Sequence, residues 1–368
     1  MKLHIFNPEH DIALANNMCQ FTPPHAARQL RADLSFLPAL WAKSGDMVLV
    51  DDVAAAVESV RHIGRYANDV IYVSNNDLQQ HILDMSGVQI EAWGFNKSLV
   101  HQLVSINSTF QKMLPTEQQL EAIRNLSNRC FAAKKILPQL VASHSMFVGE
   151  SRYFTGNASI LTKQFAQPNK HFVLKAPWSS SGRGLRYVKN DYTSHVEGWC
   201  RNVIASQGGV MIEPLYNKVL DFGMEFMVQP DGAVKYLGLS IFSTIHGAYT
   251  GNVIATEKQK HSLLEKYIPF EVLDFLQNQL QSMLHRNLKS MYMGPLGVDM
   301  MIVRLSHHAK LFVHPCVEIN FRRTMGHVAL SLSPSSSSEP QSLMHILYTD
   351  KYHLKISLLE DDLCTPYI

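Results

Sequence analysis

Cysteine is scarce. The 368 residues hold five, Cys19, Cys130, Cys200, Cys316 and Cys364, with no C-x-x-C pair among them. That excludes a zinc ribbon and a disulfide scaffold and points to a reducing compartment. The 18 histidines form no H-E-x-x-H or comparable ligand spacing. An excess of one charge is also lacking. The 33 basic and 31 acidic residues leave a formal charge of +2, so charge alone suggests neither a nucleic-acid nor a membrane-surface partner. No stretch approaches the ~20 uninterrupted apolar residues of a membrane span. The N-terminus, MKLHIFNPEHDIALA, places Glu9, His10 and Asp11 where a signal peptide needs its apolar centre. The expectation is a soluble cytoplasmic protein.

What is present is a chain able to fold. Hydrophobic residues make up 46% and charged residues 17%, which excludes disorder, and the length suits two or three domains at ~150 residues each. The first third reads as α/β: KLHIFN, DMVLVDD, DVIYVSN and VQIEAWGF are short strands alternating with helical stretches such as NKSLVHQLVSI. Residues 25–43 have helical spacing interrupted at Pro38. Residues 116–141 form a clear helical region that Thr116 can cap. From Phe172 the pattern becomes β-rich, with Pro230-Asp231-Gly232 marking a hairpin turn. Residues 257–290 return to helix, with a stripe of Val272, Leu273, Leu276, Leu280, Met283 and Leu284. Two strands follow, LGVDMMIV and LFVHPCVEI, and SPSSSSEP (333–340) reads as a loop. The expected division is 1–115, 116–212 and 213–368.

Two segments carry chemistry. In FVLKAPWSSSGRGLRYVK, Lys175 ends a strand and the small-residue loop Ser179-Ser180-Ser181-Gly182-Arg183-Gly184 leads into the next. Small residues let backbone N–H groups approach an anion, and lysine supplies a point charge. No GK[ST] is present and a strand follows, so this is not a Walker loop, and a flexible hairpin is the plainer alternative. In the second segment, pairing LGVDMMIV with LFVHPCVEI without a bulge sets Asp299 opposite Glu318, with Asn320 on the same face opposite Gly297. Like charges across a strand pair repel, and a divalent cation such as Mg²⁺ between them removes the repulsion. The apolar flanks of Asp299 argue against a casual surface charge. Pro315 could mark a bulge and shift this register. Arg322 and Arg323 follow at once and suit phosphate or carboxylate, or solvated charge at a strand end. Asp221-Phe222-Gly223 spells the kinase DFG, but the only His-Arg pair, His285-Arg286, comes after it, so a kinase is excluded by order.

Taken in order, Arg129, Lys175 with its Ser/Gly loop, Glu213-Pro214-Leu215, Asp221, Asp299 and Glu318-Ile319-Asn320-Phe321-Arg322 resemble the ATP-grasp superfamily over roughly residues 120–330. The resemblance implies an N-terminal α/β (pre-ATP-grasp-like) domain. An ATP-grasp fold follows it, with a small lid subdomain and a larger antiparallel-sheet C-terminal subdomain. It implies Arg129 and Lys175 on ATP phosphates, Ser179 to Gly184 as the closing loop, Glu213 to Leu215 as the adenine hinge and Asp221 on the ribose. It further implies Asp299, Glu318 and Asn320 as ligands of Mg²⁺ or Mn²⁺, with Lys175 and Arg322 as the catalytic pair at the phosphoryl group. The implied activity is an ATP-dependent ligase that activates a small carboxylate as an acyl phosphate and joins it to an amine. An ATP-grasp phosphotransferase and a nucleotide-binding protein without turnover are the alternatives. Small-molecule substrates, no nucleic acid, no membrane and a homodimer are expected. The segment Ser243–Asn252, with His246, reads either as acceptor-binding or as an ordinary glycine-rich loop. Asn7-Pro8-Glu9-His10-Asp11 follows the first strand at its carboxyl end, where open α/β sheets bind ligands, and His10 reads as a structural loop histidine.

Overall fold

The computed structural model describes residues 1–359 except 81–86, 166–170, 180–183, 190, 191, 246, 307 and 309. The first layer is a parallel sheet of β1 (Lys2–Ile5), β2 (Met47–Leu49), β3 (Ile71–Val73) and β4 (Gln89–Ala92) in the order β3-β2-β1-β4. These are the four short apolar runs read from the sequence. A parallel sheet is covered on its faces by its crossover helices, and here the helix Lys97–Ile106 packs Leu99 and Leu103 against Leu3, Ile5 and Met47. Helix His25–Leu34 stops before Pro38, which enters a short 3₁₀ turn instead of continuing the helix.

A small antiparallel sheet comprises β5 (Arg152–Phe154), β6 (Phe172–Lys175), β7 (Leu185–Val188) and β8 (Val210–Pro214), ordered β5-β8-β6-β7. Strand β8 ends at Pro214, so the small sheet runs across the 212/213 boundary drawn from the sequence. The large sheet has seven strands: β9 (Asn217–Val228), β10 (Val234–Ile245), β11 (Ala248–Ile254), β12 (Gly294–Arg304), β13 (Leu311–Asn320), β14 (Ser342–Tyr348) and β15 (Tyr352–Leu358). Their order is β13-β12-β9-β10-β11-β14-β15. The Pro-Asp-Gly turn joins β9 to β10, with Gly232 at φ 83°, a conformation glycine adopts without steric cost. The helical stretch 257–290 divides into Glu257–Glu265 and Phe270–Leu288 at Pro269, and the apolar stripe of the longer helix lies in the core of the large sheet.

Strands β14 and β15 were not anticipated. They close over the N-terminal layer, where Phe6, Leu34 and Trp93 share one core with Val328, Leu332 and Met344. The segment Ser243–Asn252 is a bulged hairpin of β10 and β11 rather than a free loop; His246 within it lies outside the described residues.

Leu280 is fully buried under the large sheet. Leu280→Ala removes its packing and leaves a cavity, and should cost about 2–5 kcal/mol. Urea denaturation measures this, and a loss below ~1 kcal/mol would contradict the burial described.

Candidate functional site

The acidic pair depends on an irregularity. Asp299 faces Glu318, and Gly297 faces Asn320, as expected. The reason differs from the unbulged hairpin assumed from the sequence. From the turn the strands pair as Arg304↔Leu311 and onward to Met301↔His314, and then the register shifts. Between those pairs β12 advances two residues and β13 advances four, so β13 carries two extra residues around Pro315. Proline cannot donate to the ladder and is tolerated at such a bulge. An insertion of two residues preserves the face each side chain occupies. Without it, Asp299 would face Cys316. On its other side Asp299 meets Gly223 of β9, and Glu225 pairs with Gly297.

Three acids therefore share one patch. Burial, then the charges of Glu318 and Glu225, push the Asp299 carboxyl up to about 8. Asn320 relieves part of this by donating Nδ2–H to Asp299 Oδ2 at 3.0 Å, while its Oδ1 accepts from Arg322 at 2.9 Å. The amide thus bridges Asp299 and Arg322, and its oxygen is turned toward the arginine rather than toward the carboxylates. Glu318 accepts from Arg129 Nη2 at 2.7 Å.

Arg129 is placed by local capping. The Asn128 side chain accepts from the Cys130 N–H at 2.8 Å, and the Arg129 N–H donates to the Pro177 carbonyl at 3.1 Å. Its guanidinium also donates to the Ala176 carbonyl at 2.7 Å and to Ser179 Oγ at 2.8 Å, tying the start of the Ser/Gly loop to the acidic pair. Gly184 closes that loop, and a Cβ there would stand 2.2 Å from Ser179 Oγ. Ser180, Ser181, Gly182 and Arg183 lie outside the described residues. Lys175 Nζ pairs with Glu213 Oε2 at 2.6 Å, and Ser151 donates to the other Glu213 oxygen at 2.9 Å. Asp221 accepts from Lys218 at 2.5 Å and from Thr244 at 2.6 Å.

Arg322 is not a free cation. Its Nε and Nη2 donate to the Asp11 carboxylate at 2.9 and 2.8 Å, and Nη1 donates to the Arg323 carbonyl at 3.1 Å. Burial opposes ionisation of Asp11, but Arg322 and His10 outweigh it and hold the carboxyl below its usual range. Asp11 was missed as a site residue, although the segment containing it was singled out by its place after β1. His10 beside it is fully buried, with Nδ1 3.3 Å from Asn96 Nδ2.

One cavity of about 480 Å³ is lined by Arg129, Lys175, Ser179, Asp221, Asp299, Glu318, Asn320 and Arg322 together. Glu213 and Pro214 line a second cavity with Leu137, Phe172 and Ile212. Leu215 lines neither, and its N–H donates to the His171 carbonyl at 2.9 Å. Sequence reasoning also missed Glu225, Ser240 and Thr324 on the main cavity, whereas Thr244, Tyr249 and Asn252, which line it too, lie in the segment Ser243–Asn252 that it singled out. The one available signal was a glutamate inside the apolar run MEFMV.

The donor set suits a hard cation in part. Among the described residues no group of three or more His, Cys, Asp or Glu side chains stands ready for a metal. The Asp299 and Glu318 carboxylates, with the Asn320 oxygen if it turned from Arg322, would form an incomplete oxygen shell. Mg²⁺ accepts such a shell because it keeps waters and takes phosphate oxygens. Burial, and after it the charges of Glu318 and Glu225, raise the Asp299 carboxyl, and a bound cation would oppose that shift.

No family model matches the chain, and no curated protein sequence does. The chain is similar to solved ATP-grasp structures. N5-carboxyaminoimidazole synthetase of Staphylococcus aureus, solved with ADP, is 14% identical with a TM-score of 0.46, over 94% of this chain and 82% of that one. Biotin carboxylase of Campylobacter jejuni, solved as a β,γ-ATP complex, is 14% identical with a TM-score of 0.48, over 94% and 75%. A protein of Archaeoglobus fulgidus assigned to the ATP-grasp superfamily is 11% identical with a TM-score of 0.47, over 98% and 100%. Likenesses this distant concern the path of the chain and bring no activity, substrate or metal to it.

In magnesium-free buffer the raised Asp299 carboxyl has a defined consequence. The folded protein keeps a proton up to about pH 8 that the unfolded chain loses near 3.8, so this group's contribution is most favourable below the unfolded value. It is lost as pH rises through that window. Asp299→Asn should therefore flatten the fall in stability across the window and be more stable than the parent at pH 8. Urea denaturation at several pH values tests this, and a variant that loses stability as steeply as the parent would contradict it.

Proposed function

We propose that this protein is an ATP-grasp ligase, dependent on ATP and magnesium, that activates a small carboxylate as an acyl phosphate and couples it to an amine. The observation that carries this reading is the single cavity joining Lys175 and Arg129 to Asp299, Glu318 and Arg322. These residues come from the small sheet, the helix before it and the far edge of the large sheet, and the cavity binds them into one site.

The chemistry asks for these parts. A carboxylate is a poor acyl donor because oxide would have to leave. Attack of its oxygen on the γ-phosphorus breaks the bond to ADP and converts that oxygen into a phosphate leaving group. Amine attack on the acyl carbon then expels phosphate, and the amine loses a proton. Transfer is favoured where fixed positive charge faces the phosphoryl oxygens. Lys175 retains donors beyond its contact with Glu213, and Arg129 stands between the Ser179 loop and Glu318, so both can turn N–H groups to phosphate. Arg322 is held by Asp11 in one orientation, and preorganisation of this kind avoids reorganisation during the reaction. Asp221 is a ready acceptor for ribose hydroxyls. The cavity behind Glu213 and Pro214 would accept a flat base beside the hinge. Asp299, Glu318 and the Asn320 oxygen would hold magnesium, or manganese, which when bound supplies positive charge at the phosphates. An acyl phosphate hydrolyses in water, and a loop running from Ser179 to Gly184 is the segment to close over it.

A panel of amino acids and small carboxylates, each with and without amines, tests the reading by ADP release and amide formation. Glu318→Gln should lower ADP release with the cognate pair by ~100-fold or more, with the circular dichroism spectrum unchanged. Undiminished turnover would remove the acidic pair from the reaction. A phosphorylated product without amide would favour the phosphotransferase.

A further inference from the structure

The main cavity has a second, non-polar wall. Leu30 comes from the helix His25–Leu34, Trp93 from the end of β4 and Tyr249 from β11. Met325 follows Thr324, and Ile346 and Tyr352 come from the C-terminal hairpin. The Tyr249 hydroxyl is spent on Asn252 Oδ1 at 2.6 Å, and the Asn252 amide is spent on Ser240 at 2.8 Å. Tyr249 therefore presents its ring instead of a free hydroxyl, beside the alkyl surface of Leu30, Met325 and Ile346 and the rings of Trp93 and Tyr352.

Glu225 stands where this wall meets the acidic pair. Its carboxylate occupies space left by two glycines, since a Cβ on Gly297 would stand 2.5 Å from Oε2 and one on Gly326 only 1.9 Å from Oε1. Thr324 Oγ donates to Oε2 at 2.9 Å, and His327 Nδ1 lies 3.0 Å from the same oxygen. Among the described residues no donor reaches Oε1, although the residue is only 3% exposed and lines the cavity. The cavity's cations are already matched: Arg322 by Asp11, Arg129 by Glu318 and Lys175 by Glu213. No lysine or arginine among the described residues pairs with Glu225.

Oε1 opens onto the cavity with no protein donor among the described residues, and a carboxylate oxygen so placed is a strong acceptor. A ligand ammonium satisfies it with a charge-assisted hydrogen bond, and the adjoining non-polar wall rewards an alkyl or aryl group on the same ligand. We infer that the amine substrate of this site is a primary amine bearing a non-polar group, its ammonium held by Glu225 Oε1 and its apolar part against Leu30, Trp93, Ile346 and Tyr352. This inference rests on the ligase reading for calling the ligand a substrate, but the chamber itself is tested by binding alone.

Isothermal titration of the full chain with phenethylamine, isoamylamine, ethanolamine and 3-phenylpropionate, each with and without MgADP, decides the matter. The two apolar amines should bind at least ~10-fold more tightly than ethanolamine, since burying a ring or branched alkyl group is worth that much. The phenylpropionate should bind weakly or not at all. Glu225→Gln should weaken phenethylamine at least ~10-fold, a larger loss than any it causes in ADP affinity measured without magnesium. Leu30→Trp, on a helix away from the acidic pair, should also weaken phenethylamine with MgADP binding retained. It keeps the test alive if Glu225→Gln does not fold. Equal binding of ethanolamine, preference for phenylpropionate, no amine binding in either condition, or a Glu225→Gln variant that loses ADP instead of amine would each overturn the inference. Amine binding without any ADP binding would leave the chamber standing and bring down the nucleotide reading.

Discussion

Two carboxylates facing each other across neighbouring strands are the constraint around which this structure is arranged. Like charges at that separation repel, and burial adds to the cost. The protein answers by surrounding the pair with donors: Arg129 on Glu318, the Asn320 amide on Asp299, and Arg322 behind the amide. Asn320 and Arg322 come from the end of β13 itself and just beyond it. The helix before the small sheet contributes Arg129, and the N-terminal layer contributes Asp11, which holds Arg322 in place. The large sheet is thereby tied to both other parts of the molecule by charge as well as by packing.

The same arrangement joins stability to chemistry. An acid kept protonated to about pH 8 in the free protein destabilises the fold once that proton leaves. Such costs cluster where a protein does its work. Ser179 is attached to the pair through Arg129, whose guanidinium bonds both Ser179 and Glu318.

Much of this was legible in the residues, though unevenly. The N-terminal parallel strands and the Pro-Asp-Gly hairpin follow from local patterns and local turn chemistry, which sequence carries directly. Asp299 and Glu318 were paired on the assumption of a regular hairpin. The pairing holds because two extra residues at Pro315 offset a turn centred elsewhere, and proline in a strand hints at a bulge without giving its size. The salt bridge between Asp11 and Arg322 spans 311 positions, and no local pattern encodes a partner that remote. Glu225 was passed over because an apolar run normally signals core, and only the sheet register brings it beside Gly297. Strands β14 and β15 were missed because a serine-rich loop precedes them and their alternation is weak. Of the Ser/Gly loop, only Ser179 and Gly184 can be placed against the expectation.

The last strands of the chain wall the chamber whose opposite side is built from the first. Tyr352 donates its N–H to Asp33 at 2.8 Å, and Met344 shares a core with Phe6 and Trp93. Contacts this far apart in sequence form late and slowly. During synthesis that flank of the N-terminal layer stays uncovered until β14 and β15 have been made. A chain cut short before Ser342 would keep its acidic residues but lose Ile346 and Tyr352 from the cavity wall.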